Sequence, residues 1–236
     1  MNIATGQRTT RRPGLGTRQS RRAVVAAGSG GGAPVSGMAA WLKADALALS
    51  DGDPVSSWTD SSGNSNHLVE VNPSFNPTYK TGIVNSLPVV RYASGVKWLV
   101  LTTRLTTVRT AFIVMKHSTG SDAAIGFFFA DDTVYDWHAG SGTALLDPTF
   151  AHVNIRTGSG YVNGVLTTVT SMTKPTSFTL FSFVTAGDVI VGNVSRDRFG
   201  VNTWEGDIAE IILYTSALSS GDRVTTEDYL IAKYGL

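Results

Sequence analysis

The chain contains no cysteine, which excludes a disulfide framework and a thiolate metal site. It also lacks any apolar run of ~18 residues, the length that a membrane-spanning helix requires. Charged residues are scarce, at 16% of the 236 residues, whereas 42% are hydrophobic. This length and this supply of core-forming side chains predict one folded domain, neither disordered nor membrane-spanning.

Patterns typical of several enzyme classes are also missing. No serine lies in a nucleophile elbow, and no glycine-rich phosphate-binding loop precedes a predicted helix. The histidines show no metal-ligand spacing such as H-x-x-x-H; they are His67, His117, His138 and His152. We therefore expect each histidine to be a surface or packing residue.

Positive charge is concentrated at the N terminus, although the overall net charge is only +1. Residues 1–33 contain no acidic residue and six arginines, which are Arg8, Arg11, Arg12, Arg18, Arg21 and Arg22. Residues 34–236 contain 13 basic and 18 acidic side chains, a net charge of about −5. The chain thus divides into a basic segment and an acidic body.

Residues 1–37 form a predicted arm and hinge, rich in Gly and Arg, before a folded domain at 38–236. The arm has almost nothing to bury, so its composition predicts disorder in isolation. We expect it to order only on a partner, with its arginines against acidic neighbours. Fully extended at ~3.3 Å per residue, residues 1–33 would reach about 100 Å, far enough to cross a neighbouring subunit.

Three other interpretations of the arm remain. The segment Ser20–Val25 resembles a twin-arginine export signal, but its apolar run Ala23–Ala27 is shorter than the ~7 to 15 residues of such signals. Six arginines could neutralise nucleic-acid phosphates, but the arm lacks aromatic residues for base stacking and the body is acidic. A flexible, solvated tail is the simplest alternative.

Short runs of β-branched and aromatic residues alternate with turn residues through most of the domain. They lie at Val89–Tyr92, Trp98–Leu101, Thr110–Lys116, Ile125–Ala130, Val153–Arg156, Tyr161–Thr168, Phe178–Val184, Val189–Val194 and Asp207–Tyr214. At the end of the chain, Ser219 and Asp222 form an acidic capping-box variant, and Gly235 terminates the helix that they begin. Its predicted apolar side comprises Val224, Leu230, Ile231 and Tyr234. The pattern predicts an all-β fold, an antiparallel sandwich with a short C-terminal helix.

Four segments carry a family resemblance. Trp58–Leu68 reads WTDSSGNSNHL, Leu87–Tyr92 reads LPVVRY, Gly160–Val165 reads GYVNGV, and Gly206–Ser219 reads GDIAEIILYTSALS. In this order they resemble the opening turn, second strand, YVNG hairpin and final strand of concanavalin A-like jelly-roll domains of the laminin-G type. The resemblance implies a jelly roll over roughly residues 38–236. That family includes lectins, hydrolases and virion proteins, so the fold does not name the function.

Two polar segments could carry chemistry. The loop around Asp60 is dense in side-chain oxygens, which suits calcium, but it contains one carboxylate and Asx turns explain it equally well. Glu205–Glu210 reads E-x-D-x-x-E and resembles the string that supplies nucleophile and acid/base in concanavalin A-like glucanases. In a regular strand Asp207 and Glu210 would face opposite sides, so we expect no enzymatic activity, and we expect Glu210 to pair with a nearby backbone group or arginine.

A glycan-binding site needs aromatic faces together with polar partners. Trp137, Asp136 and His138 lie beside a Gly/Ser-rich loop, and we predict that they form this site. We assign Trp41 and Trp98 to the core, because a Trp in a sandwich is usually buried.

Arm and domain together predict a virion structural protein of a tailed bacteriophage. We expect a surface-displayed jelly roll, a head decoration or fibre-like protein, anchored by its arginine arm to other virion proteins of the capsid or tail and homo-oligomeric. By resemblance it contacts host-surface glycans. The alternatives are a tail or baseplate receptor-binding protein, a secreted carbohydrate-binding lectin module and a glycoside hydrolase. We expect no cofactor, although calcium stays an alternative, and neither a membrane nor a nucleic acid as partner.

Overall fold

The computed structural model describes Met1 and residues 34–93, 95–121 and 126–236. In this part the chain is a largely antiparallel β-sandwich that ends in a short helix, as the sequence predicted. The six arginines of the predicted arm, the hinge glycines and the beginning of the run Ile125–Ala130 lie outside the described residues. The division into arm and domain therefore stays a prediction.

The elements follow one another along the described chain. The strands are β1 Ala40–Lys43, β2 Ser57–Trp58, β3 Leu68–Val69, β4 Thr78–Val84, β5 Leu87–Tyr92, β6 Leu99–His117, β7 Phe129–Ala130, β8 Ser159–Val162, β9 Val165–Thr167, β10 Thr179–Val194 and β11 Gly206–Tyr214. The α-helices are α1 Val153–Arg156, between β7 and β8, and α2 Ser220–Tyr234. Short 3₁₀ turns lie at Ala44–Ala46, Pro73–Phe75 and Val169–Ser171.

The main strand order is β4-β5-β11-β6-β10-β8-β9. Strand β1 pairs with β11, β3 pairs with β2 and β6, and β7 pairs with β10; all of these pairs are antiparallel. The long strands β6 and β10 pair along their length with register shifts after Val184, Val189 and Val191. Such irregularities bend the strands and increase their twist.

Two hydrophobic clusters hold the layers together. The larger lies inside the sandwich and includes Trp58, Tyr92 and Ile208. The smaller lies beneath α2 and includes Phe112 and Ile212. All nine residues of β11 are buried because one face of the strand meets the inner core and the other meets α2. The prediction that Asp207–Tyr214 is a core strand is confirmed.

Helix α2 begins and ends as predicted. The Ser219 side chain accepts a hydrogen bond from the Asp222 N–H at 3.2 Å, and Gly235 adopts a φ of 67° at the C-terminal end. The predicted apolar side was wrong at Val224, which is 42% exposed. Arg223 lies on the buried side instead, where its guanidinium is 3.6 Å from the centre of the Tyr161 ring. A cation on an aromatic face explains why sequence periodicity misplaced this side of the helix.

The predicted strand Val153–Arg156 was also wrong, because these residues form helix α1. The His152 Nδ1 atom accepts a hydrogen bond from the Asn154 N–H and caps the helix, and Thr157 closes it. In contrast, the run Tyr161–Thr168 is a hairpin. Its turn residues Asn163 and Gly164 have φ values of 47° and 76°, the left-handed conformation that two-residue hairpin turns require.

Candidate functional site

The structure corrects the predicted glycan site at its central residue. Trp137 is fully buried in the inner core. Its ring meets Phe129 and Phe183 edge-to-face at centroid distances of 5.2 and 5.3 Å. A ring enclosed in this way has no face for a sugar, so Trp137 is a core residue and the prediction was wrong for it.

The two neighbours of Trp137 do not converge with it on a ligand. Asp136 is half-buried, and its Oδ2 atom accepts a hydrogen bond from the Ile190 N–H at 2.8 Å, which ties its loop to β10. His138 is half-buried, with Nδ1 2.9 Å from the carbonyl oxygen of Ala139. Asp136 therefore has a structural task, and His138 takes part in a different surface.

That surface is a row of side chains in contact, which we call the aromatic row: Phe150, His138, Tyr135, Arg198 and Phe199. The His138 ring lies 5.4 Å from Phe150 and 5.2 Å from Tyr135 between centroids. The Arg198 guanidinium lies 4.1 Å from the centre of the Tyr135 ring and 5.0 Å from that of Phe199. Phe150 and Phe199 are 68% and 69% exposed. Exposed aromatic rings beside a guanidinium can stack on a sugar ring or a planar group.

The predicted glycan site and the aromatic row share one residue, His138. Tyr135 and His138 lie in the run around Trp137, but Phe150 and Phe199 are distant in sequence and join them only in the folded chain. The sequence signal for this surface was the presence of aromatic residues in loops. Only the structure shows which of these residues are exposed.

A second feature is a surface pocket at one end of the central strands. Its volume is about 290 Å³, and it is lined by Arg91, Ala93, Lys116, His117, Ser118, Gly206 and Asp207. Arg91 holds Asp207 with two hydrogen bonds, Nε to Oδ1 at 2.6 Å and Nη2 to Oδ2 at 2.9 Å. A Cβ on Gly206 would lie 2.0 Å from the carbonyl oxygen of Lys116, so this wall requires glycine.

The E-x-D-x-x-E string is bulged, contrary to the regular strand that we assumed. Ile208 pairs with Met115 and Glu210 with Val114, so Ala209 is one extra residue in β11. Because of the bulge, both Ala209 and Glu210 face helix α2, while Ile208 faces the inner core. Asp207 and Glu210 consequently face the same side.

Nevertheless, the Glu210 side chain is not accessible to a substrate. Its side chain is fully buried beneath α2 and accepts hydrogen bonds from Lys233 and Tyr234 at 2.7 Å each. Trp41 Nε1 donates at 2.5 Å and the Tyr229 hydroxyl at 3.2 Å. Burial, together with the Glu210 charge, raises the pKa of Tyr229 and Tyr234 well above the usual range. Glu210 fastens the C-terminal helix to the sheet, and the expectation of a backbone or arginine partner was wrong, because its partners are Lys233, Tyr229, Tyr234 and Trp41.

The oxygen-rich loop closes on itself. Asp60 accepts hydrogen bonds from the N–H groups of Trp41, Ser62 and Asn66, and from the Ser62 hydroxyl. Burial raises the pKa of Asp60, but these donors outweigh it and the net shift is downward. The Asx-turn interpretation accounts for the contacts of this loop. Within residues 34–93, 95–121 and 126–236, no cluster of three or more His, Asp or Glu side chains could hold a metal ion.

Comparison with known proteins finds no matching family model, no matching curated protein and no matching solved structure. The structure shows the β-sandwich fold. None of the helices in the described part is long and apolar enough to cross a membrane.

Proposed function

We propose that the protein is a structural protein of a virus particle, a surface-displayed jelly-roll domain anchored to neighbouring capsid or tail subunits by its arginine arm. The observation that carries the proposal is the charge asymmetry: six arginines without an acid in residues 1–33, and a net charge of about −5 over residues 34–236. A segment that gains order only on its partner can wrap a large surface.

The concanavalin A-like resemblance supports the proposal, because its segments coincide with elements of the described fold. Leu87–Tyr92 is β5, the YVNG run is the β8–β9 hairpin, and Gly206–Tyr214 is β11, followed by α2. The WTDSSGNSNHL segment connects β2 to β3 around the Asp60 turn. We infer that the domain is a jelly roll of this class, and phage proteins that resemble the class are found on heads and tails.

The site geometry favours a role in assembly over hydrolysis. Glu210 lies under α2, and the Asp207 carboxylate is held by Arg91. A retaining glycosidase needs two carboxyl groups about 5 to 5.5 Å apart on either side of an accessible bond. We therefore favour the structural function over glycoside hydrolysis.

The test is sedimentation with particles of the virus that encodes the sequence, at 50 to 500 mM salt. Full-length protein should co-sediment at low salt and dissociate as salt rises, because arginine contacts are screened. The form lacking residues 1–33 should remain folded and bind at least tenfold more weakly.

Two matched variants separate charge from chain length. Replacing all six arginines by lysine keeps the charge and should retain salt-sensitive binding, while replacing them by glutamine should remove it. Full incorporation of the truncated form would refute arm anchoring. Isolated capsids and isolated tails then decide between head and tail.

A second candidate, contact with host glycans, is favoured by the aromatic row. Phe150 and Phe199 present exposed rings at the two ends of this row, next to His138 and Arg198. This role belongs either to the virion protein itself or to a secreted lectin. On a glycan array, Phe150→Ala and Tyr135→Ala should lose the signals of the native protein.

Val71→Ala, at a residue 93% exposed outside the row, serves as the control for this candidate. A native protein that binds no glycan, or equal loss in all three variants, would contradict it.

A further inference from the structure

The pocket contains an alternation of charge that crosses three adjacent strands. Asp207 on β11 is the direct cross-strand partner of Arg91 on β5 and of Lys116 on β6. Directly opposed residues of antiparallel strands project from the same face, so cation, carboxylate and cation stand side by side. All three line the pocket.

The carboxylate in this row is already satisfied. Both Asp207 oxygens accept hydrogen bonds from Arg91, and the side chain of Asp207 is only 6% exposed. This pairing uses the Nε and Nη2 groups of Arg91 and leaves Nη1, on a side chain that is 36% exposed. The Asp207 carboxylate is therefore buried against Arg91, whereas the cationic groups of Arg91 and Lys116 remain on the solvent side of the pocket.

Lys116 has no such partner. In the described part of the chain, no hydrogen bond or ion pair engages its ammonium group, although the side chain is half-buried at the pocket wall. An ammonium group offers three donors, and Ser118 adds an exposed hydroxyl to the same wall. The pocket thus combines available hydrogen-bond donors with a net charge of +1 on its lining side chains.

We propose that this pocket binds a single oxyanionic group, a carboxylate, phosphate or sulfate, on a ligand of about monosaccharide size. Charge of one sign in a cleft with low-dielectric walls attracts counter-ions more strongly than the same charge on a flat surface. A volume of about 290 Å³ is at the small end of ligand pockets, which suits one charged group and a short attachment. None of the residues that line the pocket belongs to the aromatic row.

The experiment is calorimetric titration of the full chain at low salt, with a separate probe for each source of the oxyanion. The probes are glucuronate for acidic sugars, glucose 6-sulfate for sulfated sugars and inorganic phosphate for phosphate ligands; glucose is the uncharged control. We expect saturable one-to-one binding of at least one anion in the millimolar range and none of glucose. Which anion binds most tightly identifies the source.

The variants leave the Arg91–Asp207 pair intact, so that folding is preserved. Lys116→Gln should weaken anion binding at least tenfold, and Ser118→Asp, which places a second carboxylate at the wall, should abolish it. Lys97→Gln makes the same charge change outside the pocket lining, where Lys97 donates to the Ser74 carbonyl, and should leave binding unchanged. Thermal unfolding of each variant checks that it is folded.

Two results would overturn the proposal. One is the absence of saturable binding for all three anions. The other is equal weakening by Lys116→Gln and Lys97→Gln, because binding would then follow net charge alone.

Discussion

Removing the Lys233 ammonium group, which pairs with Glu210, should weaken the attachment of helix α2 to the sheet and lower the free energy of unfolding measurably. In Lys233→Met the carboxylate of Glu210 stays fully buried, but its charged partner is gone. Breaking a buried ion pair by removing one member typically costs 3 to 5 kcal/mol. Because Tyr234, Tyr229 and Trp41 continue to donate to Glu210, we expect about 3 kcal/mol, the low end of that range.

The assay is urea unfolding followed by circular dichroism, together with thermal melts. For a domain of this size about 3 kcal/mol corresponds to a decrease in Tm of roughly 6 to 12 °C. Lys97→Met, at a half-exposed lysine with one hydrogen bond to a carbonyl oxygen, should change stability by no more than about 0.5 kcal/mol.

The double variant Lys233→Met/Glu210→Gln provides the decisive comparison. It buries no uncompensated charge, so it should be more stable than Lys233→Met alone. A cost below about 1 kcal/mol for Lys233→Met, or no recovery in the double variant, would refute the account of how α2 is held.

Two further predictions concern the core and the pH dependence of stability. Trp137→Ala should destabilise the fold by about 3 to 5 kcal/mol, whereas Phe150→Ala should change stability by about 0.5 kcal/mol or less, in the same urea assay; equal effects would contradict the burial of Trp137. Burial raises the pKa of Asp131, but hydrogen bonds from Arg104 and Thr133 outweigh it and hold that pKa well below the usual range. This contribution is present above the unfolded pKa of about 4 and is lost as pH falls further. Asp131→Asn should therefore be less stable at pH 7 and lose less stability between pH 4 and 2 than the native protein; identical pH profiles would contradict this.

The sequence predicted the features that depend on neighbouring residues. The cap at Ser219, the turn at Asn163 and the terminator Gly235 are local backbone chemistry, and each lies where it was expected. The apolar density of β11 likewise identified a strand between two layers. Such signals are complete within a few residues, so no knowledge of tertiary contacts is needed.

The failures concern contacts between distant segments. The sequence predicted that Trp137 is exposed, but in the folded chain Phe129 and Phe183 enclose its ring. Arg223 lies on the buried side of its helix because Tyr161 lies across from it. In both cases tertiary packing decides which side of a residue meets solvent, and no local pattern reports it.

The extra residue in β11 has a consequence for sequence alignment. Deleting Ala209 would leave Ile208 toward the inner core and Glu210 toward the helix, because alternation would then be regular. Deleting an interior residue outside the Ala209–Glu210 bulge would reverse the faces of part of the strand unless the bulge closed in compensation. A homologue with a one-residue gap at this position could therefore present the same side chains to the same layers. In this strand Asp207 and Glu210 would face the same side at a separation of three residues with the bulge or two without it, so the spacing of the two acids alone does not show whether they act together.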